Sequence, residues 1–176
     1  QLYSDHGSAV LVDEPPYLMG TAQTGASWML RGAGVPQKGL VDELTSALDI
    51  YPAAARLVGF EVPAGLDGNL PEILGGKQRE YVVSNSIFPG QTYKLCIRTA
   101  EYEFRLESQE VVDEDGGVDL RRPKMQLFRR ADMTREIEDG ERLAHFLAIA
   151  RAHTAFFDTR GEIWQEKRAL RKSWFG

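Results

Sequence analysis

The chain has 176 residues, 43% of them apolar and 27% charged, and carries a formal net charge of −5 at pH 7. That length suits one well-cored domain, expected here over 1–176, and no stretch nears the eighteen or so apolar residues of a membrane helix. The single cysteine excludes an internal disulfide, and no signal-peptide core precedes Asp5, so the expected setting is the cytoplasm, without a membrane partner.

Charge is unevenly spread. Residues 1–80 hold 5 Lys/Arg against 10 Asp/Glu, whereas 81–176 hold 16 against 16. An acidic first half makes a poor nucleic-acid surface, so any phosphate contact belongs to the second half.

Residues 1–36 read as an irregular Gly/Pro-rich segment. Ala9–Val12 and Ser27–Leu30 are short strand candidates between Pro15-Pro16, Gly20, Gly25, Gly32 and Gly34. Over 37–58 the pattern is helical. Leu40, Val41, Leu44, Ala47, Leu48 and Tyr51 make one face of a helix ending near Asp49, with Pro52 as its stop and a shorter helix following to Val58.

Residues 80–130 read as antiparallel sheet. Tyr81–Phe88 and Gln91–Arg98 flank Pro89-Gly90 as a hairpin. The parity of apolar residues then changes between Tyr93/Leu95/Ile97 and Tyr102/Phe104/Leu106, which calls for a turn or bulge near Arg98-Thr99. Asp113–Gly117 closes a second hairpin onto 118–130.

Residues 139–172 read as two helices. In the first, Leu143, Phe146, Leu147, Ile149, Ala150, His153, Phe156 and Phe157 recur at helical spacing. Ala144, Ala148, Ala152 and Ala155 lie opposite and suggest a helix sandwiched on both sides. Thr159 and Glu162 form a capping box for the second, which carries glutamates early and Lys167, Arg168, Arg171 and Lys172 late, as the helix dipole favours.

Motifs for chemistry are weak. Gly20–Ser27 has phosphate-loop glycine spacing, but Ala26 stands where the lysine belongs, and Met29 breaks a nucleophile elbow at Gly25–Ser27. Asp113, Asp115 and Asp119 miss calcium-loop spacing. His145 and His153, eight residues apart, lie about 12 Å apart along a helix and cannot share an ion. No metal site and no cofactor is expected. Two weak catalytic candidates stand out. His153 sits on the apolar helix face, as a core histidine or a general base. Cys96 is flanked at two-residue spacing by Lys94 and Arg98, which favour a thiolate.

The expected fold is α+β: an antiparallel sheet over about 80–130, packed by a helix from the N-terminal half and two C-terminal helices. Function has three candidate readings, with enzyme the less favoured class. The first is a non-enzymatic interaction or assembly protein, docking on another protein or another copy through Trp164, Leu170, Trp174 and Phe175 among basic residues. The second is a nucleic-acid-binding module using Arg121, Arg122, Lys124, Arg129, Arg130 and Arg135. The third is a small-molecule enzyme with His153 or Cys96 in a pocket between helix and sheet.

Overall fold

A computed structural model describes residues 24, 28–36, 39–87, 90–113 and 117–155. Its centre is a five-stranded antiparallel sheet in sequence order: β1 Val82–Ser86, β2 Thr92–Arg98, β3 Tyr102–Val111, β4 Lys124–Arg129 and β5 Asp132–Glu136. One long helix follows over 140–155. The fold is therefore α+β with an antiparallel sheet.

The apolar alternation fixes the register. Leu95 pairs with Leu106 and Ile97 with Phe104, so the two parities meet on one face, joined by a tight turn at 99–101. The Thr99 hydroxyl accepts the Tyr102 amide in that turn. Gly90 closes the first hairpin at φ 80°, a left-handed conformation that suits glycine. A bulge between Thr92 and Lys94 leaves the Tyr93 amide to the Ser108 hydroxyl. β5 was not foreseen. It is an edge strand of mostly exposed residues, so it lacks the alternation that marks a half-buried strand.

The long helix starts at Asp139, whose carboxylate accepts the Arg142 amide. It lays Phe146 and Ala150 on the sheet, and the Phe146 ring stacks on Phe104 at 5.4 Å. Ala144, Ala148, Ala152 and Ala155 are exposed, so the expected burial on both sides is not found among the described residues. Phe156, Phe157 and the second helix of 159–172 lie outside the described residues, as do Ala9–Val12 and all of Gly20–Ser27 except Thr24. Residues 28–30 are irregular rather than a strand.

The first helix departs most from expectation. Residues 41–46 are irregular, a 3₁₀ turn spans Ala47–Asp49, and α-helix α1 runs from Ile50 to Leu57, with the 140–155 helix as α2. The physical reason is local. Ser46 and Asp49 form a reciprocal capping box that sets the start after Ser46. Pro52 then falls in the first turn of α1, where a missing amide proton costs nothing. No residue of 39–79 belongs to the apolar cluster between the sheet and α2, so the expected packing of this unit on that face is not found.

Candidate docking surface

The unit before the sheet is held by polar pegs more than by apolar packing. The Asp49 carboxylate, 2% exposed, accepts the Ser46 amide at 2.8 Å, the Asn69 amide at 2.7 Å and Arg79 Nε at 2.9 Å, and Arg79 Nη2 binds its other oxygen. Burial pushes the carboxyl pKa up, but the Arg79 guanidinium and the two amides outweigh it and hold the group below its ordinary value. Gly68 lies where any Cβ would stand 2.1 Å from the Leu48 carbonyl oxygen, so the loop closes on the helix only with glycine there.

Small groups fill the inside of this unit. Pro52, Ala53, Ala55, Pro71 and Leu74 are buried. Five large apolar side chains in and around α1 are exposed instead: Leu48 is 58% exposed, Ile50 52%, Tyr51 58%, Val58 67% and Phe60 73%. Ile50, Tyr51, Ala54 and Val58 follow at i, i+1, i+4 and i+8 and share one side of α1 and its C-terminal cap, with Leu48 and Phe60 flanking the helix. Leu40, Val41 and Leu66 add to the exposed apolar area. Large apolar side chains are thus exposed while Pro52, Ala53 and Ala55 are buried, the reverse of the usual surface helix.

The sheet's other face carries a buried ionic cluster that sequence reading missed. Glu103, fully buried, accepts Arg98 Nε at 2.7 Å through one carboxylate oxygen and Arg105 Nε at 2.7 Å through the other. Arg105 lies 4.9 Å over the Phe128 ring, and Arg98 Nη1 donates to Thr24 Oγ1 at 2.6 Å. The signal was present as charged residues interleaved with the apolar ones, Arg98 after Ile97 on β2 and Glu103 and Arg105 either side of Phe104 on β3. Nothing in the sequence says that face is covered.

Cys96 belongs to this same face. It is fully buried and paired in register with Ser84 and Arg105. His153 is half-buried between helix and sheet, its Nε2 3.4 Å from Asn85 Nδ2, which is itself 3.4 Å from the Tyr93 hydroxyl. Burial lowers the His153 pKa, and burial raises that of Tyr93 against the opposing bonds from Asn85 and Thr154. Cys96 and His153 thus lie on opposite faces of the sheet. The structure does not bring them together. Among the described residues, no three His, Cys, Asp or Glu side chains converge to hold a metal ion, and no helix is long and apolar enough to cross a membrane.

The basic run is divided between the two ends of β4. Arg121 and Arg122 are exposed in a bend before the strand, and Arg129 and Arg130 lie at its far end, with roughly 17 Å of strand between. Asp119 grips Arg121 at 2.5 Å, and that contact, with the Arg121 amide, holds the Asp119 pKa down at about 2. Arg129 lies 5.5 Å over the Tyr102 ring, and Arg130 donates to the Thr99 carbonyl at 3.2 Å. Lys124 pairs in register with Glu107, and Arg135 is exposed on the edge strand. Trp164, Leu170, Trp174 and Phe175 lie outside the described residues.

Two clefts border these groups. One, of about 320 Å³, is lined by Gln109, Glu110, Asp119, Arg121 and Arg122. The other, of about 470 Å³, lies between the turn at Glu101 and the start of α2, beside Tyr102, Arg142 and His145. Tyr102 offers little stacking surface there, because Arg142 lies 4.3 Å over its ring in addition to Arg129.

No protein-family model, curated protein or solved structure matches this chain.

Proposed function

We propose that the protein is a non-enzymatic interaction or assembly protein, and that the apolar side of α1 is a docking face for another polypeptide, a further copy of the chain being the partner it can show by itself. The observation that carries this reading is the row of exposed large apolar side chains in and beside α1: Ile50 and Tyr51 within it, Leu48, Val58 and Phe60 flanking it, with Pro52, Ala53 and Ala55 buried. Covering that area would bring apolar burial of about 25 cal/mol per Å² to a unit with little core of its own. The basic run supports nucleic-acid binding less well, since β4 separates its arginines and neighbouring groups engage several of them.

The measurement is native mass by sedimentation equilibrium. The reading expects association above the 19.7 kDa monomer, lost in the full-length double variant Ile50→Glu, Phe60→Glu. Both side chains are exposed, so the variant keeps its fold. A wild type that stays monomeric, or a variant that associates equally well, rules the reading out.

A further inference from the structure

The face round α1 has a charge as well as an apolar character, and both restrict what can cover it. Over residues 40–79 stand Asp42, Glu43, Asp49, Glu61, Asp67 and Glu72 against Arg56, Lys77 and Arg79. Asp49 is paired internally with Arg79, which leaves Asp42, Glu61 and Glu72 as exposed acidic residues of this unit, with Arg56 and Lys77 its exposed cations. A complementary ligand needs large apolar anchors set among positive charges, because the anchors supply affinity and the charges supply orientation and encounter rate.

One stretch of this chain has that composition. Residues 160–176 carry Trp164, Leu170, Trp174 and Phe175 with Arg160, Lys167, Arg168, Arg171 and Lys172, against Glu162 and Glu166 only. Ile163, Leu170 and Trp174 follow at seven and four residues, the spacing of one helical face. Bulky aromatics and arginines are the residue types that dominate interface energetics.

We infer that segment 160–176 of a second copy docks on the α1 face of the first, so that copies of the chain associate patch to tail. The inference rests on the docking-face reading and adds its occupant. The contact is heterologous. It is satisfied reciprocally in a closed pair, or serially in a ring or chain. Acidic patch and basic tail make association salt-sensitive, while the tryptophans and leucine hold the complex once formed.

The test uses two full-length variants, one of the patch (Ile50→Glu, Phe60→Glu) and one of the tail (Leu170→Glu, Trp174→Glu). Circular dichroism matched to the wild type confirms folding. The wild type associates, and its dissociation constant rises at least about tenfold when NaCl goes from about 50 to about 500 mM. Each variant alone associates at least about tenfold more weakly, and an equimolar mixture recovers a two-chain species, because one chain keeps its tail and the other its patch. A mixture that recovers nothing overturns the inference. So does a tail variant that associates like the wild type; if the patch variant is then monomeric, the docking-face reading survives with another occupant. A monomeric wild type removes both. Charge reversal offers an independent readout: Lys167→Glu, Arg171→Glu is expected to weaken association, and mixing with Asp42→Lys, Glu61→Lys to restore it.

Discussion

Asp49 reaches Arg79, thirty residues downstream, and receives two of its donors in a side-on pair. That pair, with the Ser46 and Asn69 amides, ties the start of α1 to the loops on both sides of it. Replacing Asp49 by alanine leaves a guanidinium and two amides without their acceptor. The expected cost is about 3 kcal/mol, confined to residues 40–79, because that unit contributes nothing to the sheet's apolar cluster. Hydrogen exchange is expected to lose protection in 46–57 while β2 and β3 keep theirs; uniform loss would show the two parts to be one cooperative unit.

The same carboxylate sets an acid limit. Its folded pKa lies below the unfolded value, so its contribution is complete above the unfolded pKa of about 4 and disappears as pH falls through the folded pKa. Exposure of the 40–79 unit is therefore expected to rise below about pH 4 in the wild type, and this pH dependence to flatten in Asp49→Ala. Tyr51 fluorescence or exchange of the α1 amides reads it out.

Glu103 joins Arg98 and Arg105 under cover. Glu103→Ala leaves two buried guanidiniums without their shared carboxylate and is expected to destabilise the sheet by about 3–5 kcal/mol. An apolar replacement of the whole cluster, Arg98→Met, Glu103→Leu, Arg105→Met, is expected to recover most of that loss. Urea unfolding followed by tryptophan fluorescence checks both. A mild Glu103→Ala phenotype would mean that water reaches the face.

His153 is held neutral by burial, with its folded pKa below the unfolded value. Its contribution to stability is therefore full above the unfolded pKa of about 6.5 and declines as pH falls through the folded pKa. The imidazole titration followed by NMR is expected to have its midpoint below 6.5. The fall in melting temperature between pH 7 and 5.5 should shrink in His153→Gln, which keeps a polar group near Asn85. A midpoint at or above 6.5 contradicts the burial.

Cys96 sits at zero exposure on a central strand. Its reaction with a thiol reagent is expected to follow global opening, slower than the unfolded chain by a factor near the folding equilibrium constant. Fast labelling under native conditions would restore the reactive-thiol reading.

The sheet's apolar side was legible in advance. Alternation at Tyr93, Leu95 and Ile97 and again at Phe104 and Leu106 has the period of a pleated strand and requires the turn found at 99–101. Helical spacing from Leu143 through Ala150 likewise places the long helix, with Phe146 as its contact. Local signals of this kind depend only on near neighbours in sequence, which is why they survive into the structure.

The first helix shows where such signals end. Leu40, Val41 and Leu44 match a helical face, yet the Ser46–Asp49 capping box and the reach of Arg79 move the helix downstream, and Asp49, the expected end of a helix, becomes a buried anchor near the start of one. Spacing names which residues share a side; it does not say which side faces inward. That choice depends on contacts between residues distant in sequence. Only the tertiary structure decided that α1 turns Pro52, Ala53 and Ala55 in and Ile50 and Tyr51 out, and that Glu103 is buried between Arg98 and Arg105.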